Sequence, residues 1–391
     1  MAKRIPLDSV CEKKISTLPS QYEGKINYVD ISSIENETKQ IVSTQCLSAK
    51  EAPSRAKQLL EVGDILVSTV RPNLNAVAMV RQQAENLLVG STGYCVLRCN
   101  DKVDKRYVFY FCQSPYFVDD MTSQATGASY PAVSSGIVKN STIPFCPIEE
   151  QVAIADNFDK LSQLIILRKQ QLAKLDELVK ARFVELFGDP VANPHGFDKV
   201  ALSELADIKI GPFGSLLHKE DYIEGGHALL NPSHIIDGKV APDDKLTVSA
   251  QKYEELSAYH LKTGDVVMGR RGEMGRCAVV PSDGYLCGTG SLMIRTKGEV
   301  TAGYIQKIIS FPSFKKTIED MAVGQTMPNL NVPIVSNFQI IKPPIEVQKS
   351  YYTFVEQVDK SKVVESIHRM NVLFNITLNG GNRYDIRANE F

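Results

Sequence analysis

The chain has 391 residues, 43% of them hydrophobic and 23% charged, which is typical of a soluble globular protein with two or three domains. Autonomous nucleic-acid binders usually carry an excess of basic residues, whereas this chain has a net charge of −1. A DNA-binding role would therefore need basic loops or partners that share the phosphate contacts. The eight cysteines lack metal or disulfide spacing, and no apolar run resembles a secretory signal or a membrane span. We therefore expect a cytoplasmic protein with reduced thiols, no metal site and no membrane partner.

The first third of the chain is predicted to be rich in strands. Short β-branched runs lie between Gly, Pro and Asn residues from 63 to 98, and they read "GDILVSTV", "NAVAMV" and "YCVLR". A helical segment is predicted at about residues 104–121. A loop and a strand ending at "IPFCP" then complete a domain of residues 1–147.

A long helix is predicted for residues 148–188. The segment after Pro147 contains no Pro or Gly until Gly188. Apolar residues recur at spacings of three and four and predict a coiled-coil-like seam. At 1.5 Å per residue, roughly 38 helical residues would span about 57 Å, which exceeds one turn of B-DNA and suits a spacer between two reading units. The seam residues that we assign to a helix–helix or subunit interface are Leu161, Ile165, Leu172, Leu175, Val179 and Leu186.

The second half of the chain repeats the first. Residues 127–151 and 324–348 are identical at ten of 25 positions at an offset of 197, where average composition predicts roughly one or two. A second similarity joins residues 62–80, which read "VGDILVSTVRPNLNAVAMV", to residues 263–280, which read "TGDVVMGRRGEMGRCAVV". One residue is deleted in the second copy, and this alignment pairs Arg71 with Arg271 at an offset of 200. We predict a second strand-rich domain at 189–344, with a helical segment at about 301–321.

A second helix is predicted within residues 345–391. Its seam is weaker than the first and runs through Val363, Ile367, Met370 and Phe374. The two seams are expected to pack against each other in antiparallel fashion, which would give a pseudo-twofold molecule. The alternative is that each helix packs on its own globular domain.

Motifs for catalysis are absent from the sequence. No Gly-x4-Gly-Lys-Ser/Thr segment indicates an ATPase, and "GRRGEMGR" joins two predicted strands where a dinucleotide site would open a helix. The segment "NPSH" at 231–234 lacks the aromatic residue of an amino-methyltransferase motif. The histidines and acidic residues show no triad, metal or nuclease spacing. We expect no catalytic residue and no cofactor on this chain.

Candidate DNA-binding residues come from loops in similar places in the two halves. Residues 69–75 and 269–276 place arginines between strands, and residues 126–131 and 323–329 add small polar groups and an aromatic ring. Arginine can bind guanine or clamp phosphate, and asparagine can read adenine. We expect base contact from Arg271 and phosphate contact from Arg270. The alternative is that these are hairpin turns with solvated arginines. The candidates are Arg71, Asn73, Asn75, Ser129, Tyr130, Arg270, Arg271, Arg276, Gln325, Thr326 and Asn329.

Several segments resemble the specificity subunits of Type I restriction–modification systems. They are "GPFGSLL" at 211–217, residues 264–280, the twin loops that begin at Gly127 and Gly324, "PIEEQ" at 147–151 and the helix of residues 167–190 that ends in "FGDP". The order and duplication of these segments are more specific than any one of them. The first half departs from the pattern because it has no clear "GPFGS". The resemblance adds Ser215 to the candidate DNA-binding residues.

The resemblance implies an α+β fold and a non-catalytic, DNA-reading role. Two target recognition domains, residues 1–147 and 189–344, would each read one half of a split, asymmetric double-stranded DNA sequence. The helices of residues 148–188 and 345–391 would form an antiparallel coiled coil that docks two modification (methyltransferase) subunits. Those subunits would carry S-adenosylmethionine, and restriction subunits would supply ATP- and Mg-dependent translocation and cleavage. The main alternative is a two-module protein-binding scaffold. A methyltransferase or nuclease activity of the chain itself is disfavoured by the missing motifs.

Overall fold

The chain divides into two units within the helix Ile148–Phe187. The computed structural model describes residues 3–322 and 329–362. The first unit ends at Leu172 and the second begins at Ala173. The predicted α+β class and the predicted strand runs are confirmed. Six residues of the predicted site and seam lie outside the described ranges, namely Gln325, Thr326, Val363, Ile367, Met370 and Phe374.

The first unit contains eleven described strands and the start of the long helix. The strands are β1 (Lys3–Pro6), β2 (Lys25–Val29), β3 (Ile34–Glu35), β4 (Gln40–Ile41), β5 (Gln45–Ser48), β6 (Ala56–Leu59), β7 (Ile65–Ser68), β8 (Val77–Met79), β9 (Leu87–Ser91), β10 (Tyr94–Leu97) and β11 (Thr142–Phe145). The helices are α1 (Lys105–Phe111), α2 (Pro115–Ser123), α3 (Ser135–Asn140) and α4 (Ile148–Phe187), the last of which continues into the second unit.

The second unit repeats this series of elements. Its described strands are β12 (Lys199–Ala201), β13 (Ala206–Ile210), β14 (Tyr222–Ile223), β15 (His227–Leu230), β16 (Ile235–Ile236), β17 (Lys239–Val240), β18 (Thr247–Val248), β19 (His260–Leu261), β20 (Val266–Gly269), β21 (Cys277–Val279), β22 (Tyr285–Cys287), β23 (Ser291–Thr296) and β24 (Gln339–Ile341). Its helices are α5 (Leu202–Leu205), α6 (Ala250–Glu255), α7 (Ala302–Ile309), α8 (Pro312–Met321), α9 (Val332–Ser336) and α10, which begins at residue 345 and is described to residue 362.

The two units share one strand topology. The first has sheets of order β5-β2-β9-β6 and β10-β7-β8, and the second has β18-β15-β22-β19 and β23-β20-β21 within its two main sheets. A parallel pair lies inside each larger sheet, β2 with β9 and β15 with β22. The second unit adds β13 and β14 at sheet edges. The similarity in the sequence begins at residue 62. The structural duplication also includes strands β2, β5 and β6, which come before that residue.

The central strand of each smaller sheet is buried on both faces. Ile65 and Val67 of β7 pack in the cluster that includes helices α1 and α2, whereas Leu66 packs in a cluster with Val29 and Ile34. In the second unit Val266 and Met268 likewise share a cluster with α7, and Val267 belongs to a different cluster. Burial on both faces explains the continuous apolar runs in these strands, since alternation is needed only where one face meets water.

Residues that are identical in the two halves join the long helices to the domains. The buried Gln151 side chain accepts a hydrogen bond from the Asp104 backbone N–H at 3.0 Å and donates one to the Cys146 carbonyl at 2.7 Å. Gln348 accepts from the Thr301 N–H at 3.0 Å and donates to the Pro343 carbonyl at 3.0 Å. The repeated "PIE-x-Q" segment is thus a structural joint.

A buried ion pair is also repeated in both units. Arg98 binds both carboxylate oxygens of Asp64 at 2.8 Å, and Arg295 binds those of Asp265 at 2.8 and 2.6 Å. Both aspartates are buried, at 1% and 2% exposure. Such bidentate pairs are geometrically specific and hold the turn before β7 or β20 against the C-terminal end of β10 or β23.

The helical segments predicted at about 104–121 and 301–321 are present, but each is divided into two helices. Pro115 and Pro312 occupy the first turns of α2 and α8. A proline lacks the N–H that would continue the preceding helix and is accepted at a helix start. Ser114 caps α2 by accepting a hydrogen bond from the Phe117 N–H.

The predicted seam forms the more buried face of α4. All six assigned seam residues are half-buried, whereas Leu164, Leu167 and Leu178, which lie off the seam, are exposed. Val179 and Leu186 pack against the core of the second unit. The packing partners of Leu172 and Leu175 remain a prediction.

The second half of α4 and helix α10 run antiparallel within the second unit. Phe183 and Phe187 contact Tyr351 with ring centroids 5.5 and 5.6 Å apart. Toward the other end of the described pairing, Lys362 Nζ lies 2.8 Å from Asp176 Oδ1. The predicted antiparallel arrangement therefore holds for residues 176–187 and 351–362.

Candidate nucleic-acid interface

The two predicted loop segments of the first unit lie side by side. Val70 and Ala132 form a β-bridge, and the Arg71 N–H donates a hydrogen bond of 2.7 Å to the Pro131 carbonyl. The Arg71 guanidinium lies over the Tyr130 ring, 4.7 Å from its centroid. Tyr130 is 68% exposed, which leaves its other face open to solvent. Arginine and tyrosine thus form a cation–π pair at the surface of the unit.

The loop around Arg71 is held in a demanding backbone conformation. Arg71 and Asn75 have φ values of 50° and 46°, in the left-handed region that non-glycine residues adopt with strain. A 3-10 turn, Pro72–Leu74, lies between them. Leu74 is 50% exposed and lines one groove together with Arg71 and Tyr130. Strained residues of this kind are enriched at ligand-binding sites.

In the second unit the corresponding loops are also joined. Arg271 and Asn329 form a β-bridge, and the Leu330 N–H donates to the Arg270 carbonyl at 2.9 Å. Arg270 Nε donates to Asn329 Oδ1 at 3.1 Å. Arg270 is half-buried and Arg271 is exposed. The predicted residues Arg270, Arg271 and Asn329 are therefore neighbours.

The predicted pairing of Arg71 with Arg271 is wrong by one residue. Thr69 donates its N–H to Gly93, and Arg270 donates its N–H to Gly290, so Thr69 corresponds to Arg270. The two β-bridges accordingly match Val70 with Arg271. Arg71 corresponds to Gly272, and both have positive φ, 50° and 80°. The one-residue deletion in the second unit therefore lies after Gly272. The sequence alone gives no signal for where in this loop the deletion falls.

Two of the predicted residues are held by partners within their own unit. The Asn75 amide donates to the Cys112 carbonyl at 2.9 Å and accepts from Lys39 Nζ at 2.9 Å. Arg276 binds Glu273 through Nε and Nη2 at 3.1 and 2.7 Å, and Nη1 donates to a backbone carbonyl. Both side chains therefore support the loops in which they lie.

The charges of the other arginines are not neutralised in the same way. Among the described residues, neither Arg71 nor Arg271 has an acidic partner within salt-bridge distance, and both are exposed. Burial lowers the pKa of Arg270, and the adjacent positive charge of Arg271 lowers it further. By contrast, Lys315 and Arg276 lower the pKa of Glu273 to about 2. An anion near Arg270 and Arg271 would relieve the repulsion between their charges.

Comparison with known proteins identifies the family. The family model described as "Type I restriction modification DNA specificity domain" matches residues 3–177 and again residues 194–371. The chain belongs to this family. Similar proteins include two of Methanocaldococcus jannaschii. The type I restriction enzyme MjaVIII specificity subunit is 24% identical over 325 residues, or 75% of this chain and 74% of the relative. The MjaIX specificity subunit is 22% identical over 84% of this chain and 78% of the relative.

Solved structures of the same class share the fold. A chain from a study of complex assembly and conformational transition in a type I restriction–modification system has a TM-score of 0.65 and 23% identity, and the match covers 97% of this chain and 95% of that one. The S subunit from M. genitalium has a TM-score of 0.55 and 15% identity over 98% and 94% of the chains. The predicted family is confirmed, and the relatives named above are specificity subunits, which are non-catalytic.

The remaining predicted residues lie in loops and turns of the two units. Asn73 and Ser129 are exposed in the first unit. Ser215 lies in the 3-10 turn Gly214–Leu216 of the second. Beside it, Phe213 is 63% exposed and was missed by the sequence analysis, although it belongs to the quoted "GPFGSLL" segment. A Cβ on Gly211 would come within 2.1 Å of the Gly288 carbonyl oxygen, so this loop packs tightly against β22–β23.

The described residues contain neither a candidate metal site nor a candidate membrane span. No group of three or more His, Cys, Asp or Glu side chains in the described ranges is placed to hold a metal ion. In the same part of the chain, no helix combines the length and the apolar composition needed to cross a bilayer.

Proposed function

We propose that this chain reads a split DNA sequence for a type I restriction–modification complex, with one half of the target assigned to each unit. The observation that carries the proposal is the joining of two loops at the same end of the same strand in both units. The scaffold beneath these loops is repeated, whereas the loops differ in sequence. Two half-sites of different sequence require different reading loops, and a repeated scaffold can hold both loops in the same way.

The side chains at the joined loops have the chemistry of DNA readout. Arg271 is exposed and has no acidic partner among the described residues. Its guanidinium is therefore able to donate two hydrogen bonds to one guanine. Arg270 is half-buried and hydrogen-bonded to Asn329, which suits a fixed contact with phosphate. In the first unit the Arg71–Tyr130 pair presents a cation and an aromatic face. Asn73 and Ser129 are exposed in the joined loops of the first unit, and Phe213 is an exposed aromatic residue of the second unit.

Partner subunits complete the proposed function. A chain with a net charge of −1 has little excess charge for holding phosphates, so two modification subunits are proposed to share the DNA contacts and to dock on the helices. These methyltransferase subunits would carry S-adenosylmethionine. Restriction subunits, where present, would bring ATP- and Mg-dependent cleavage. The seam of α4 and the exposed leucines beside it provide apolar area for such docking.

Selection from a pool of random DNA by the complete complex tests the proposal. We expect enrichment of two short fixed sequences separated by a spacer of fixed length. Exchange of the specificity chain for that of another system, with the same modification subunits, should change the enriched sequence. A protein-binding scaffold without DNA readout predicts the same enriched sequence for both complexes, and that result would refute the proposal.

A further inference from the structure

Two cysteines of the first unit face each other across a short antiparallel contact. Cys11 and Cys99 form a β-bridge. The flanking hydrogen bonds run from the Glu12 N–H to the Arg98 carbonyl at 2.8 Å and from the Asn100 N–H to the Val10 carbonyl at 2.9 Å. This pattern makes Cys11 and Cys99 a non-hydrogen-bonded pair, in which the Cα atoms lie about 4.5 Å apart and the side chains lie on one face. That separation is within the range of natural disulfides.

The two thiols already interact, and they differ in exposure. The neighbouring Cys99 thiol lowers the pKa of Cys11, an effect that burial opposes and the Lys139 ammonium assists. The neighbouring Cys11 and burial raise the pKa of Cys99. Lys139 is fixed nearby by hydrogen bonds of 2.8 and 3.0 Å to the carbonyls of Glu12 and Lys13. Cys11 is 5% exposed, whereas Cys99 is half-buried and reachable from solvent.

We propose that Cys11 and Cys99 form a redox modification site that peroxides convert into a disulfide. In the first step the Cys11 thiolate attacks one peroxide oxygen, so that an S–O bond forms, the O–O bond breaks and hydroxide leaves as water after taking up a proton. The Cys99 sulfur then attacks the sulfenic acid, the S–S bond forms and a second water leaves. Hydrogen peroxide is reduced to two water molecules, and the two thiols lose two electrons and two protons in total.

The neighbouring cysteines lack this arrangement. Cys95 and Cys112 belong to the same core cluster and are buried, but no β-bridge places either opposite another cysteine in the described residues. In the second unit the position that corresponds to Cys99 is Thr296, which pairs with Ala206. The site therefore belongs to the first unit alone.

The disulfide would join the N-terminal segment covalently to the segment after β10. Closure of a loop from residue 11 to residue 99 restricts the unfolded chain, and long loops give the larger entropic stabilisation. The bond would therefore raise the melting temperature of the first unit and fix the chain segment that Lys139 holds.

Treatment of the full chain with hydrogen peroxide, followed by thiol counting and peptide mapping without reductant, tests the proposal. We expect two fewer free thiols than the eight of the reduced chain, one linked peptide pair containing Cys11 and Cys99, and reversal by dithiothreitol. The variant Cys99→Thr, which copies the residue at the corresponding second-unit position, should lose the linked pair. The variant Cys46→Ser, which removes an exposed thiol, should retain it.

Results on the wild-type chain alone can overturn the proposal, so the test does not depend on whether the variants fold. Oxidation of Cys46 to its oxyacids at a peroxide dose that leaves Cys11 and Cys99 reduced would refute it. A disulfide between any other pair of cysteines would refute it as well. Melting curves of the oxidised and reduced wild-type chain should differ, with the higher melting temperature for the oxidised form.

Discussion

At the scale of single residues, the arginines near the joined loops differ in whether their charge is already neutralised. Glu273 lies between Arg276 and Lys315 and binds both. Arg271 lies two residues after the end of β20 and has no such partner among the described residues. An arginine whose charge is balanced within the protein gains less from a phosphate or a base than one whose charge is open. The same sequence segment therefore contains both a structural and a candidate recognition arginine.

We predict that Arg271→Ala weakens binding of the complex to its own target by about 1–3 kcal/mol and relaxes specificity at one base pair. Arg270→Ala should instead weaken binding to all sequences and lower the salt slope by about one. The control is Arg276→Lys, which keeps the positive charge beside Glu273 and should leave the slope and the specificity unchanged. Salt titrations on target and scrambled DNA measure these effects. Unchanged binding for the first two variants would move the contacts to other loops.

A second prediction concerns the backbone at Arg71. The variants Arg71→Gly and Arg71→Ala both remove the guanidinium and should weaken DNA binding equally. Their stabilities should differ, because a φ of 50° strains alanine but not glycine. Arg71→Gly should be more stable than Arg71→Ala by about 1 kcal/mol, measured by chemical denaturation. Equal stability, or a more stable alanine variant, would contradict the left-handed conformation of this loop.

At the scale of elements, the buried pair of Asp64 and Arg98 fixes the turn before β7. Removal of the carboxylate in Asp64→Ala leaves the arginine without its main partner, and breaking a buried pair in this way costs about 3–5 kcal/mol. The control is Glu61→Ala, since Glu61 contacts the same arginine but is 66% exposed. Its loss should cost less than about 1 kcal/mol. Denaturation midpoints of the two variants test the difference, and similar losses would argue against a special role for the buried pair.

The seam of α4 gives a further prediction. Leu172→Lys and Leu175→Lys each place a charge on the half-buried face and should lower the melting temperature and weaken assembly with the modification subunits. Leu167 is 60% exposed on the same helix, so Leu167→Lys should leave the melting temperature nearly unchanged. Thermal unfolding of the three variants separates the two faces. If Leu172→Lys and Leu175→Lys assemble and melt as the wild type does, the seam is not an interface.

Elements were predictable from the sequence where one physical signal dominated. The observed bounds of α4, Ile148–Phe187, agree with the predicted helix to one residue because Pro147 and Gly188 mark its ends. The break before Pro115 was missed because a proline at a helix start and one inside a helix give the same local pattern. The pairing of Arg71 with Arg271 failed because a one-residue deletion in a loop leaves no apolar period to locate it.

The candidate site was only partly predictable for a related reason. The candidate loops were predicted one by one from their composition. Their contact with each other depends on β-bridges between backbone groups, such as that of Val70 with Ala132. Backbone pairing of this kind leaves little trace in side-chain type. Asn75 and Arg276 fitted the composition of a DNA-reading loop, yet their partners are Lys39 and Glu273.

At the scale of the whole molecule, the repeat separates what is constant from what varies. The constant parts are the strand order, the buried Asp–Arg pair and the glutamine joint at the start of each long helix. The loops at the ends of β7 and β20 differ between the units. Such a division allows one unit to change its ligand while the other is unaffected, which is the physical basis of modular specificity.

The last prediction follows from the chemistry of the joint between domain and helix. Exchange of residues 1–147 for the equivalent domain of a relative should change one half of the DNA target and leave the other half intact. Gln151 remains in the host helix and binds only backbone groups of the exchanged part, the Asp104 N–H and the Cys146 carbonyl, so a different sequence can satisfy it. Methylation mapping of cells that carry the hybrid measures the new target.

Side-chain contacts across the same boundary decide which relative to choose. Arg106 binds Asp156 and Asp159 of α4 at 2.6 and 2.9 Å, and the Tyr110 hydroxyl donates to Asp159. A donor domain that keeps an arginine and a tyrosine at these two positions should give a hybrid as stable as the wild type, and a donor that lacks them provides the control with a lower melting temperature. Both hybrids should read the same new half-site, because the joined loops come with the exchanged residues. A hybrid in which both half-sites change would contradict independent reading by the two units.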